Sequence, residues 1–257
     1  VHGPGQRVTY KGKPFTPSSL SAVSAWLRVA QATSGVNGVS SLPDLLNSNP
    51  AVQSVDARKP VMENSANGLP CLRFATNDVL VWPITAQSSA SSRAGWGLWA
   101  KLDAASATQR LVRISTGTNG ANGLKLNLSS GASIASSASA DGGTFKNNNP
   151  AVAQNTSWHF LTIEYDSTGA TDDAKWCFSF DAAVIANVIS GSGVLGTLFA
   201  ATGNILIGNG NDGVASSSLN GLIGPNIFAF ASKMAGATTG LLTTAARTAL
   251  MNFEAPT

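Results

Sequence analysis

Glu164 and Asp166 stand two positions apart in the run Glu164-Tyr165-Asp166. In an extended strand such residues share a face, about 6.6 Å apart by strand rise, which brings them within range of carboxylates that divide acid and base roles on a sugar. Retaining cleavage uses carboxyls only about 5–5.5 Å apart. Asp166 also runs straight into Ser167-Thr168-Gly169, a turn sequence. The pair therefore reads as surface or turn-capping carboxylates, and no catalytic residue is assigned. Neither a Gly-x-Ser-x-Gly elbow nor a Gly-Lys-Ser/Thr phosphate loop occurs. His2 and His159 are the only histidines and Cys71 and Cys177 the only cysteines, too few for a His-rich zinc centre or a four-thiolate site. His159 falls on the apolar face of its strand and reads as a core histidine. The two thiols read as buried, with a single bridge as the alternative.

Calcium asks only for oxygen donors at about 2.3–2.6 Å. Asp172-Asp173, Asp78 beside Asn77, and the run Asn209-Gly210-Asn211-Asp212-Gly213 offer them. The candidate calcium ligands are Asp172, Asp173, Asn209 and Asp212, and no other cofactor is expected. Each of these stretches equally suits a turn in which an Asx side chain binds its own backbone. For a sugar, stacking surfaces come from Trp26, Trp82, Trp96, Trp99, Trp158 and Trp176. Most of these belong in a core. Trp82 is the exception because Pro83 follows it, and a strand that ends there would leave the ring open. Trp82 and Asp78 are the candidate carbohydrate-binding residues.

The elements that must position these groups are short strands. Strand-like runs recur at 22–29, 71–75, 79–82, 95–102, 109–115, 123–128, 157–166, 174–181, 184–188, 204–208 and 219–230, separated by turn formers such as Asn119-Gly120, Asn122-Gly123 and Asp141-Gly142. No helices intervene, so the expected fold is all-β, an antiparallel two-sheet sandwich, and a parallel Rossmann-type core is disfavoured. In the strand at 157–166, His159, Leu161, Ile163 and Tyr165 share the core face; at 174–181, Trp176, Phe178 and Phe180 share theirs. One helix is expected, at 240–252, with Leu241, Leu242, Ala245, Ala246, Ala249 and Leu250 as its apolar stripe. Residues 1–19, rich in Gly and Pro, read as an extended arm, and 20–257 as a single domain. The stretch 31–69 reads as surface loop with one brief helical turn near 43–46, and 129–140 as a loop or weak edge strand.

Composition narrows the partners. The 257 residues carry 16 Lys or Arg and 13 Asp or Glu, and 43% are hydrophobic, enough for a sizeable core with little charge to organise it. The basic residues are scattered, which excludes a phosphate-tracking stripe and makes nucleic acid an unexpected partner. No run approaches the length of a membrane-spanning helix.

The ordered pieces resemble the laminin-G-like, concanavalin A-like jelly-roll superfamily of bacteria and phages. The resemblance is carried by Ala25-Trp26-Leu27-Arg28, by Arg58-Lys59-Pro60, and by Asn67-Gly68-Leu69-Pro70-Cys71-Leu72-Arg73-Phe74. It continues through Thr76-Asn77-Asp78-Val79-Leu80, the Trp158-His159 strand, and Leu206-Ile207-Gly208-Asn209 followed by Leu219-Asn220-Gly221-Leu222-Ile223-Gly224. It spans roughly 20–255. It departs from the family at 42–47 and at Leu219, where an aromatic is usual. Relatives that cleave β-glucans carry Glu-x-Asp-x-x-Glu, and here Gly169 occupies the third acidic position, so the set is incomplete.

What the resemblance implies is a two-sheet jelly roll used in glycan binding, adhesion or virion structure. The expected function is a non-enzymatic structural or adhesion module on a virion or in an extracellular assembly, joined as a homo-oligomer or to a larger protein assembly. A lectin-like carbohydrate-binding domain that takes a surface glycan is one alternative. A glycan-cleaving enzyme is the other.

Overall fold

The structure, a computed structural model, describes residues 9–10, 13–83, 92–104, 109–115, 122–128, 134–138, 146–150, 152, 155–192, 195–196, 204–209 and 218–257. A small hairpin comes first, β1 (Thr9–Tyr10) with β2 (Lys13–Pro14). Then follow β3 (Val23–Arg28), β4 (Thr33–Gly35), β5 (Gly38–Leu42), β6 (Ala51–Val52), β7 (Val61–Asn64), β8 (Pro70–Phe74) and β9 (Leu80–Trp82). The middle of the chain supplies β10 (Arg93–Leu102), β11 (Gln109–Ser115), β12 (Asn122–Leu128), β13 (Ile134–Ala138), β14 (Lys146–Asn148) and β15 (His159–Asp166). A one-turn helix, α1 (Asp172–Lys175), leads into β16 (Trp176–Phe180), β17 (Ala183–Ile185) and β18 (Ile189–Ser190). The chain closes with β19 (Asn204–Ile207), β20 (Gly221–Phe230) and α2 (Thr244–Asn252).

Every strand pairing is antiparallel, and the fold is an all-β jelly-roll sandwich. An eight-stranded sheet runs β17-β16-β15-β10-β20-β8-β7, with β3 also on β20. A ten-stranded sheet runs β18-β14-β13-β12-β11-β19-β9-β6-β5-β4. The main core lies between them, with Leu98, Ile163, Phe178 and Ile227 from the first meeting Leu80, Val112, Ile205 and Ile207 from the second. Leu161, Ile163 and Tyr165, and with them Trp176 and Phe178, face this core as their alternation requires.

A second cluster covers the other face of the eight-stranded sheet. Trp99, Phe160, Phe228 and Phe230 pack there under Leu241, Leu242, Ala246 and Leu250. Apolar layers on both faces explain why all ten residues of β20 are buried, a continuous run where a half-exposed strand would alternate. Pro225 lies within β20 between its pairing to β8, which ends at Ile223, and its pairing to β3, which begins at Asn226. The ladder to β10 also shifts register there, so the missing N–H falls at an irregularity.

Four features differ from the sequence reading. The stretch 31–69 contains β4 to β7, strands of two to five residues whose pairing comes from distant partners, and 43–46 forms bends with an isolated bridge from Asp44 to Leu27 in place of a helical turn. Residues 134–138 form a full member of the ten-stranded sheet. Where an extended arm is expected over 1–19, residues 9–10 and 13–14 pair as a hairpin and Pro17–Ser19 forms a 3-10 turn. Phe15 is buried in the second cluster with its ring 5.8 Å from that of Phe253. The helix begins at Thr244, capped by the Thr243 hydroxyl, because the N–H groups of Leu241 and Leu242 are claimed by Glu164.

Candidate functional site

Glu164 and Asp166 do share a strand face, but it is the face covered by the C-terminal segment. Glu164 has no exposed surface. Its Oε1 accepts from Arg247 Nε at 2.7 Å and from the Thr162 hydroxyl at 3.1 Å. Its Oε2 accepts from Arg247 Nη2 at 2.9 Å and from the N–H groups of Leu241 at 2.6 Å and Leu242 at 2.8 Å. Arg247, equally buried, also donates to the Thr239 carbonyl and reaches Cys177 Sγ at 3.1 Å. Hydrogen bonds to Glu164 outweigh the burial that opposes the Arg247 charge, and its pKa is raised. Gly240 sits over this pair at φ +69°, and a Cβ there would stand 2.4 Å from Glu164 Oε2 and 2.5 Å from Cys177 Cβ. Glu164 is thus a buried clamp for the helix, which corrects its reading as a surface or turn-capping carboxylate: both oxygens are taken and neither faces solvent.

Asp166 is the turn cap of the pair. Its Oδ1 accepts from the Thr168 hydroxyl at 2.7 Å, the Thr168 N–H at 3.2 Å and Arg93 Nε at 3.2 Å, with Lys233 Nζ 3.7 Å from Oδ2. Burial works to raise its pKa, but the Thr168 bonds, Arg93 and Lys233 together hold it below the ordinary carboxylate range. Neither of these two carboxylates is free to protonate a glycosidic oxygen.

The proposed sugar platform is corrected. Trp82 is fully buried in the main core and its indole N–H donates to the Asn49 carbonyl at 3.0 Å. No ring face remains for a sugar, because the strand ends at Trp82 with its side chain on the inner face. Asp78 is buried too, accepting from the Ala75 N–H at 2.8 Å while its own N–H donates to the Ala75 carbonyl. Burial raises its pKa against that bond. This is an Asx turn, the alternative reading of the same residues.

Of the candidate calcium ligands, Asp172 and Asp173 lie in α1 and Asn209 follows β19. Asp172 Oδ2 is bonded to Lys146 Nζ at 2.5 Å and its Oδ1 lies 3.6 Å from Lys175 Nζ, contacts led by Lys146 that lower its pKa. Asp173 is exposed in the same short helix, and Asn209 is buried after β19. Asp212 lies outside the described residues. Among the described residues no group of three or more His, Cys, Asp or Glu is placed to hold a metal ion. Lys146 and Lys175 already supply the positive charge that a cation at Asp172 would bring.

Cys71 and Cys177 are buried free thiols, so the bridge alternative fails. Burial pushes Cys71 up to about 11 and, with the nearby Glu164, Cys177 up to about 12, which keeps both protonated and inert at neutral pH. His159 is half-buried at the edge of the core. Its Nδ1 lies 2.8 Å from Asp181 Oδ2 and its Nε2 2.8 Å from Asn155 Oδ1, and its ring lies 4.2 Å from that of Phe180. Nδ1 thus ties the strand to the Asp181-Ala182 turn, where both residues adopt positive φ, while Nε2 ties it to Asn155.

The residues that the sequence reading missed lie on the ten-stranded sheet. Leu111 and Val112 face the core, and a β-bulge between Arg110 and Val112 puts Arg110, whose register partner is Asn127, and Arg113, whose register partners are Lys125 and Leu206, on the outer face. Arg113 is 2% exposed and Arg110 half-buried. Burial, then the neighbouring Arg110, pulls Arg113 down to about 10, and burial alone lowers Arg110. Along the same row, Val52 pairs with Val81 and Val81 with Leu206, so an apolar strip leads up to the two cations. The scattered charges of the sequence become a pair only through the bulge, since residues three apart in a regular strand lie on opposite faces.

No family model matches the sequence, and no curated protein does. Solved structures share its fold. The sialidase of Trypanosoma rangeli in complex with sialic acid superposes with a TM-score of 0.60 at 12% identity, over 96% of this chain and 35% of that one. A structure of botulinum neurotoxin type C, whose cell entry depends on interaction with two ganglioside molecules, gives 0.56 at 9% identity, over 92% of this chain and 52% of that one. The binding domain of botulinum neurotoxin DC in complex with SialylT gives 0.53 at 10% identity, over 90% and 51%. This chain therefore spans about a third of the sialidase chain and about half of the toxin chains. At these identities the likeness is one of fold.

Proposed function

We propose that this chain is a non-catalytic, lectin-like carbohydrate-binding module. The observation that carries the reading is the sandwich itself, shared over at least 90% of this chain with a sialidase holding sialic acid and a toxin binding domain holding SialylT. Supporting the reading, Glu164 is consumed by a buried ion pair and Asp166 by a turn, so the acid pair singled out in the sequence is structural. The proposed place of work is the cell exterior or a virion surface, where glycans are met.

The test is titration of the intact protein across a panel of neutral and acidic glycans, with chromatography of each mixture for released sugar. Saturable binding without product is the expected result. Product release by the wild type would replace this reading with a hydrolase.

A second reading, assembly with further protein, is favoured by one observation. Strand β7 is exposed along its whole length at the end of the eight-stranded sheet and carries Val61 and Met62 outward-accessible, a strand edge that natural proteins usually protect. Light scattering of the intact protein tests it, and a monomer at all concentrations would remove it.

A further inference from the structure

The outer face of the ten-stranded sheet holds two guanidiniums, a buried one at Arg113 and a half-buried one at Arg110. Arg110 and Arg113 stand together there because of the bulge at the start of β11. Burial, then the Arg110 charge, lowers the pKa of Arg113, and burial lowers that of Arg110. Arg113 makes further contacts within the fold. Among the described residues, Arg110 Nε is buried with no hydrogen-bond acceptor. A buried donor on a cation is costly to leave unmade, and the group that relieves it best is an oxyanion matched to the planar fork of arginine.

The surroundings narrow the oxyanion to one carried by a sugar. From Arg113 the row runs through Leu206, which is buried, and Val81, which is half-buried, to Val52, which is 40% exposed, an apolar row that opens to solvent away from Arg113. In the other direction the register positions are Lys125, Ser137 and Asn147, none of them acidic. An apolar strip against a cationic pair suits a ring with one hydrophobic face and one carboxylate. We infer that the outer face of the ten-stranded sheet at Arg110, with Arg113 beside it, recognises the carboxylate of an acidic glycan. The inference rests on the carbohydrate-binding reading and names the ligand class of that reading.

Calorimetric titration of the intact protein tests it with α2,3-sialyllactose and a glucuronate-terminated oligosaccharide, each beside its carboxyl-reduced counterpart, and with sulfated lactose. The expected result is that at least one acidic glycan binds about tenfold or more tightly than its reduced form, and that Arg110→Gln erases this gap while leaving the reduced form unchanged. Equal affinity for an acidic glycan and its reduced form, or a gap that survives Arg110→Gln, overturns the inference and leaves carbohydrate binding standing. Binding of sulfated lactose without either carboxylate overturns the carboxylate assignment. Failure of every glycan to bind overturns the carbohydrate reading and this inference with it. Should Arg110→Gln fail to fold, the comparison of acidic and reduced glycans on the wild type still decides.

Discussion

The two sheets of this sandwich bury charge on their outer faces in opposite ways. On the eight-stranded sheet, Glu164 and Arg247 neutralise each other, and every oxygen of the carboxylate is filled by the segment that covers it. On the ten-stranded sheet, Arg110 and Arg113 are set side by side, burial lowers the pKa of both, and Arg110 lowers that of Arg113 further. The first arrangement is closed and holds the structure together; in the second, among the described residues, Arg110 Nε is left without an acceptor. A buried charge thus signals function by what it lacks, and burial alone does not distinguish the two cases.

The sharpest way to break the comparison is to open the closed side. Arg247→Ala leaves the Glu164 carboxylate buried and unpaired, at an expected cost of about 3–5 kcal/mol in urea unfolding, whereas the double variant Glu164→Gln with Arg247→Met should cost much less than the two single changes added together. Additive losses would show that the pair is not coupled. Trp82→Ala should cost a similar amount, about 3–5 kcal/mol, since it empties core volume, and should leave glycan affinity per folded molecule unchanged. Gly240→Ala places a side chain at positive φ against Glu164 and Cys177, and about 2–3 kcal/mol is expected, read as a lowered thermal midpoint.

Smaller effects sharpen the contrast. Asp166→Asn should cost about 1 kcal/mol at neutral pH. Because the folded pKa of Asp166 lies below its unfolded value, its stabilisation is fully present above the unfolded value near ~3.9 and is lost as pH falls through the folded one. Wild type and variant should therefore converge in stability at strongly acid pH, and a constant difference in acid titrations would contradict the assignment. Arg110→Met should change stability by no more than about 0.5 kcal/mol, or raise it, because it removes a desolvated cation that repels its neighbour. A loss like that of Arg247→Ala would mean that the ten-stranded sheet also uses its arginines as internal clamps.

Much of the sandwich was legible because long strands carry their own signal. The faces of β15 and β16 follow from Leu161, Ile163 and Tyr165 and from Trp176 and Phe178, whose alternation survives in the core. Strands β4 to β7 were not legible: two to five residues broken by Gly, Pro and Asn hold no period of their own and exist because partners far along the chain pair with them. The site resisted reading for related reasons. Spacing placed Glu164 and Asp166 on one face correctly, but Arg247, 83 residues away, decides what that face does. Pro83 pointed to an exposed Trp82, yet the Asn49 carbonyl satisfies its indole inside the core. The Arg110–Arg113 pair depends on a bulge, which no residue type in that stretch announces.

The central claim is that ligand chemistry belongs to the outer face of the ten-stranded sheet and structural chemistry to the helix-covered face of the other. Hydrogen–deuterium exchange of the intact protein, with and without a saturating acidic glycan, tests this most directly. Slowed exchange in Gln109–Ser115 and Asn122–Leu128, with Thr244–Asn252 unchanged, is the predicted result. Protection confined to the helix and the turn before it would contradict the account.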